Sequence, residues 1–188
     1  AIRWVGENIR DRIETMAPDE AVRFLRDFHR RIERAVLAHN GVLEKFMGDG
    51  AMVVFGIPTP RPDDAAAALA CARALIADIR AHNAELAAAG ERPIGVSVGI
   101  HYGPVIMARL GGAAQAEITA AGDTVNVASR LESLTRSNDA AIVISDAAVA
   151  AIAAAGRLDL IEGFEKLPPQ AIRGRVERLA IWVKHREP

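Results

Sequence analysis

The chain has 188 residues, 51% of them hydrophobic and 25% charged, a length and balance that fit one globular domain able to bury a core. With a formal net charge of −1 nothing points to a polyanion-binding surface, so nucleic acid is not an expected partner and any phosphate must be recognised by a few placed side chains. The lone Cys71 excludes an internal disulfide and a cysteine-based zinc site, and no apolar run is long enough to span a membrane. No signal peptide is visible and the cytoplasm is the expected location, while the start at Ala1 suggests a piece of something longer.

Residues 1–10 read as a short strand with an irregular end. Pro18 then opens a helix, with Asp19 and Glu20 in the first turn where the helix dipole favours them. Ala21, Phe24, Leu25, Phe28, Ile32, Val36 and Leu37 keep helical spacing. Arg23, Arg26, Arg30, Arg31 and Arg34 fall largely on the other sides, as a solvated face or a phosphate surface. His29 and His39 have no partners at metal-ligand spacing and read as incidental. Asn40-Gly41 stops the helix.

Val42 to Phe55 reads as strand, tight turn, strand, with Gly48-Asp49-Gly50 at the turn. Asp49 is either a turn residue or an exposed carboxylate on a rigid tip, suited to a hard cation such as Mg²⁺. A stiff proline-rich loop leads into a second helix over about 64–89. Cys71 lies in its alanine-rich run and reads as a small core residue.

Residues 94–108 read as a strand, a Gly103-Pro104 break and a second strand. Gly95, Gly99 and Gly103 remove side chains where another backbone or a ligand can approach. His101 reads as a structural residue or a catalytic base. A short strand surrounds Glu117-Ile118-Thr119, and a helix capped by Asp123 or Thr124 runs on to about Thr135. Asn126 and Arg130, four apart, share one face of that helix. They are ordinary polar residues or an amide and a guanidinium aimed at one anionic group.

Residues 141–145 form a strand, 146–155 a helix, 158–161 a strand and 179–183 a last strand, with a chain break at Pro168-Pro169. No internal repeat or domain boundary is visible. The alternation suggests an α+β fold, a ferredoxin-like β-α-β-β-α-β core with appended β-α-β elements.

Two motifs carry a family resemblance. Lys45-Phe46-Met47-Gly48-Asp49-Gly50-Ala51-Met52-Val53-Val54-Phe55-Gly56 resembles the metal-carrying hairpin of class III nucleotidyl cyclase catalytic domains. Gly122-Asp123-Thr124-Val125-Asn126-Val127-Ala128-Ser129-Arg130-Leu131-Glu132 resembles the family's other signature. Gly99-Ile100-His101-Tyr102-Gly103-Pro104-Val105 is similar to the strand between them, and the resemblance covers about residues 17–184.

The resemblance implies the class III cyclase fold and a homodimer with active sites shared between chains. It also implies conversion of ATP to cyclic AMP and pyrophosphate with two Mg²⁺ or Mn²⁺ ions. By position, Asp49 resembles a metal-binding Asp, Asn126 the ribose-orienting Asn and Arg130 the Arg that steadies the transition state. Asn126 and Arg130 would come from the chain opposite the one supplying Asp49. Lys45 and Thr119 match the purine-reading pair, with Thr as in the bicarbonate-responsive subgroup, so bicarbonate regulation is implied as well. Arg173 or Arg175 falls near the triphosphate-binding basic residue.

The first strand departs from the family pattern. Asn8 in Gly6-Glu7-Asn8-Ile9-Arg10-Asp11 takes the place of the first metal-binding Asp. A neutral amide holds Mg²⁺ less well than a carboxylate. Either Glu7 or Asp11 substitutes, or the segment is incompletely represented, or the protein is a weakened or inactive cyclase that binds nucleotide or a partner without turnover.

Overall fold

The computed structural model describes residues 2–7, 9–110, 117–172 and 177–186. The elements follow as β1 (Ile2–Glu7), α1 (Ile9–Thr15), α2 (Pro18–Ala38), β2 (Val42–Met47), β3 (Gly50–Val54) and α3 (Asp64–Ala88). Then come β4 (Gly95–Ile100), β5 (Ile106–Leu110), β6 (Glu117–Ala121), α4 (Asp123–Ser137), β7 (Ala140–Ser145), α5 (Asp146–Ala154), β8 (Glu165–Gln170) and β9 (Leu179–His185).

Among the described residues, strands form a seven-stranded sheet in the order β2-β3-β1-β4-β7-β9-β8 and a two-stranded sheet of β5 and β6. The β2-β3-β1-β4 half is antiparallel at every step, as the expected ferredoxin-like core requires. β7 joins β4 in parallel and β9 and β8 follow antiparallel. After β7 the chain continues through α5 to β8 and β9.

Strand alternation divides the apolar residues between two faces. Ala51, Val53, Val98, Ile100, Ile142 and Ile144 join Phe28, Ile32, Leu69 and Leu75 in the core under α2, α3 and α5. Val143, Ile181 and Val183 face the other way and meet Val127 and Leu131 of α4. Met52 and Val54, also turned away from α2, pack on Ala120 of the small sheet. Cys71 is fully buried in the first core, and burial pushes its thiol up to about 12, an inert core residue.

Helix α2 ends as expected, with Asn40 at φ 58 and the Gly41 amide returning 2.9 Å to the Val36 carbonyl. Leu37, counted on its apolar side, is 75% exposed. Arg31 of the arginine face reaches Asp78 of α3 at 2.8 Å and Asp27 at 3.2 Å, tying the two helices together.

Four local expectations are corrected. Residues 9–15 are helical, with the buried Ile9 and half-buried Ile13 four apart on the same core. Residues 158–161, expected as a strand, form a single 3₁₀ turn. Arg73 of α3 holds this turn by donating to the Leu160 carbonyl at 2.8 Å. Pro168 and Pro169 lie inside β8 rather than breaking the chain. β8 is an edge strand, where missing amides are tolerated, and a register shift between Leu167 and Gln170 absorbs both prolines. The cap of α4 is Gly122 at φ 131, because the Thr124 hydroxyl instead donates to the Pro104 carbonyl at 2.6 Å.

Candidate active site

Asp49 stands where β2 turns into β3. Met47 pairs with Gly50, leaving a two-residue turn in which Gly48 carries the positive φ of 63. His29 of α2 braces this tip. Its ring stacks on Phe46 with centroids 3.8 Å apart and planes 9° apart, and its Nε2 lies 3.0 Å from the Gly48 carbonyl. His29 is thus not incidental, as its spacing suggested, but a support for the turn. The signal was its place beside Phe28, a core residue that fixes the adjacent ring over the hairpin.

The antiparallel register sets Val5 against Gly50, so β1 ends beside Asp49. Asn8 lies outside the described residues, as do the side chains of Glu7 and Asp11. Among the described residues no three His, Cys, Asp or Glu side chains gather into a metal cage. The half-buried Asp49 carboxylate on a braced turn is the kind of hard oxygen that a divalent cation takes as one ligand.

Lys45 and Thr119, far apart in sequence, meet. Lys45 Nζ donates to Thr119 Oγ1 at 3.1 Å. A third residue, missed in the sequence, joins them. The Thr119 hydroxyl donates to Glu44 Oε1, the Ala120 amide donates to the same oxygen at 3.3 Å, and Lys45 Nζ lies 3.4 Å from it. The Glu44 side chain is 3% exposed, and its Oε2 is buried without a hydrogen-bond partner. An unsatisfied buried oxygen costs about 1–3 kcal/mol.

A bulge explains the meeting. Leu43 pairs with Val53 and Lys45 with Met52, so Glu44 is an extra residue in β2. Leu43 and Phe46 pack on the α2 side, while Lys45, opposite Met52, faces the small sheet. In a regular strand Glu44 would share the side of Phe46. The bulge turns it to the side of Lys45, and nothing in its residue type announces that.

Helix α4 presents Asn126, exposed, and Arg130, half-buried, beside the buried Val127, Ala128 and Leu131. Among the described residues neither the Asn126 amide nor the Arg130 guanidinium has a side-chain partner. The helix lies hard against β4. A Cβ on Gly99 would stand 2.2 Å from the Ala128 carbonyl oxygen and 2.3 Å from the Glu132 amide nitrogen. Of the three glycines singled out in this region, Gly99 therefore admits a neighbouring backbone. Gly103 admits the Thr124 side chain, 2.7 Å from the same kind of added carbon.

His101 is 8% exposed, with Nδ1 2.8 Å from Ser145 Oγ, the serine that also caps α5. A cleft of about 400 Å³ is lined by His101 itself with Phe55, Arg61, Asp64, Tyr102 and Pro104, and contains none of Asp49, Lys45, Thr119, Asn126 or Arg130. Arg173 and Arg175 lie outside the described residues.

Residues 7–177 match the family described as the adenylate and guanylate cyclase catalytic domain. Over 137 residues, 73% of this chain, it is 32% identical to adenylate cyclase 1 of Rhizobium meliloti, of which it covers 21%. Over a similar stretch, 72% of this chain, it is 34% identical to adenylate cyclase of Anabaena cylindrica, of which it covers 27%. The chain thus spans about a fifth to a quarter of the length of these curated relatives. The adenylyl cyclase CyaB from P. aeruginosa superposes with a TM-score of 0.85 at 23% identity, over 100% of this chain and 93% of that one. The guanylyl cyclase Cya2 superposes with a TM-score of 0.79 at 27% identity, over 97% and 88%.

Proposed function

We propose, for a chain that belongs to the adenylate and guanylate cyclase catalytic domain family, that it converts ATP to 3′,5′-cyclic AMP and pyrophosphate. The observation that carries this choice of base is the Lys45–Thr119 contact of 3.1 Å. Lys45 offers N–H donors to adenine N1, and Thr119 offers an oxygen to the 6-amino group. Guanine presents a donor at N1 and an acceptor at position 6, the opposite of both, so the pair discriminates against it.

The ribose 3′-hydroxyl must attack the α-phosphorus in line with departing pyrophosphate. Asn126 orients the ribose. Arg130 meets charge that builds on the phosphoryl oxygens, where losing one preorganised donor costs about 3 kcal/mol. Asp49 would hold Mg²⁺ or Mn²⁺, with Asn8 or a neighbouring carboxylate at the end of β1. Such ions polarise the attacking hydroxyl and neutralise phosphate charge. Arg173 or Arg175 binds the triphosphate. Two copies of the chain form a head-to-tail dimer, and each site takes Asp49 from one copy and the base-reading pair together with Asn126 and Arg130 from the other. The lack of side-chain partners for Asn126 and Arg130 among the described residues supports this division.

Turnover of ATP and GTP by purified protein with Mg²⁺ or Mn²⁺ tests the proposal. Cyclic AMP formation that is lost in Asp49→Ala and in Arg130→Ala is expected. Preferential cyclic GMP formation, or an unaltered rate in either variant, would sink it. Asn8 favours a second reading, a domain that binds nucleotide without turnover. Saturable ATP binding with no cyclic product from the wild type would select it.

A further inference from the structure

We propose that Glu44 is a positioning residue for base selection, which locks the Thr119 hydroxyl as an acceptor and so restricts the site to a 6-aminopurine. This role rests on Lys45 and Thr119 reading the base. A threonine hydroxyl alone does not discriminate, since it can donate to a guanine O6 as readily as it accepts from an adenine amine. In this chain its one proton is committed to Glu44 Oε1. One of its lone pairs takes a proton of Lys45 Nζ at 3.1 Å. What remains on Oγ1 is a single lone pair, which only a donor can use. The 6-amino group of adenine is such a donor. Guanine O6 would meet lone pair against lone pair.

Glu44 is held in place for this purpose. Glu44 Oε1 already accepts from the Ala120 amide and faces Lys45 Nζ, so it takes the threonine proton rather than giving one. The Ala120 amide at 3.3 Å and Lys45 Nζ at 3.4 Å fix Oε1, and the side chain is 3% exposed, so water does not compete for the hydroxyl proton. The second oxygen is left buried and unsatisfied, an arrangement that favours no strand on its own account. The bulge between Leu43 and Lys45 exists at the one residue whose side chain would otherwise point away from Thr119.

The test compares wild type with Glu44→Gln, which keeps the shape but can donate to Thr119 Oγ1 and free its proton. Kinetics with ATP, GTP and purine riboside 5′-triphosphate, which has no 6-substituent, are measured alongside thermal melting. Competition binding of the same nucleotides is followed in parallel. The expected result is an ATP-over-GTP preference reduced about tenfold or more in Glu44→Gln, mainly through KM for ATP, with purine riboside triphosphate used about equally by both proteins. An unaltered preference, or an equal loss with all three nucleotides, overturns the role. Should Glu44→Gln fail to fold, Glu44→Asp withdraws the carboxylate by one methylene, and an unaltered preference there also overturns it. A wild type that prefers ATP beside a variant of unaltered preference removes the Glu44 role alone. A wild type that neither turns over nor binds ATP better than GTP removes the adenine reading as well.

Discussion

The position of Asp49 is set in part by its neighbours. Gly48 supplies the positive φ of the turn, His29 stacks behind it, and β1 ends alongside. Asp49→Asn keeps the size and the turn but removes the charge that attracts a divalent cation. The Mg²⁺ concentration for half-maximal turnover is expected to rise about tenfold or more, with little change in thermal stability. A metal titration of activity, read beside a melting curve, checks both halves. At this scale the motifs brought candidates forward, and of these the structure brings Lys45 and Thr119 together. Asp49, Lys45, Thr119, Asn126 and Arg130 stood out by motif. Glu44 and His29 did not, because their importance comes from a bulge and from a ring stacked across two elements. Neither leaves a periodic trace in the chain.

At the scale of elements, α4 is placed by an absence. Gly99 of β4 has no side chain, and the helix backbone fills the space at Ala128 and Glu132. Both contacts are backbone, so a methyl group cannot be accommodated by turning a side chain. Gly99→Ala is expected to cost about 1–3 kcal/mol of stability, as overpacking does. The melting temperature should fall by several degrees, since about 1 kcal/mol shifts a chain of this size by roughly 2–4 °C. The same push displaces Asn126 and Arg130, so kcat should fall by more than the loss of folded protein explains. Calorimetry and initial rates on one preparation separate the two effects.

Element order was legible because apolar period and turn residues agree through β2, β3, α3, α4 and β7. Short segments resisted. Residues 9–15 and 158–161 are too short for period to speak, and the first is helical because Ile9 and Ile13 reach the core, the second because Arg73 holds it. Pro168 and Pro169 read as a break until the sheet order shows that their strand is an edge.

At the scale of the whole molecule, a shared site makes a stringent demand. Asp49→Ala and Arg130→Ala chains, each inactive alone, should regain activity when mixed and allowed to exchange. A random mixture of two-fold dimers gives about half mixed dimers, each with one intact site, so recovery of about a quarter of wild-type activity is expected. No recovery at concentrations where dimers exchange would place the whole site in one chain.

Acid stability has a local source at the far end of the sheet. The Trp182 indole donates to Asp146 at 2.9 Å and Lys166 reaches the same oxygen at 2.9 Å. The Trp182 hydrogen bond and then Lys166 hold the Asp146 carboxyl below its ordinary 3.8. A depressed folded value contributes stability that is complete above 3.8 and lost as pH falls through that lower value. Melting curves of wild type and Asp146→Asn between about pH 7 and pH 3 should therefore converge toward acid. The effect should be small, because both partners are half exposed and screened by solvent.

In an ordinary strand, deleting one residue turns every later side chain to the wrong face. At Glu44 the same edit would do the reverse. Without it, Leu43, Lys45 and Phe46 would alternate cleanly against Val53, Met52 and Ala51, and the ladder between β2 and β3 would close without interruption. The length of β2 is therefore a reading frame set against the demands of the hairpin. A shortened chain would fold at least as readily while losing the carboxylate behind Thr119. Selection for stability alone would remove this residue, so its persistence in a lineage would mark a requirement for telling one purine from another.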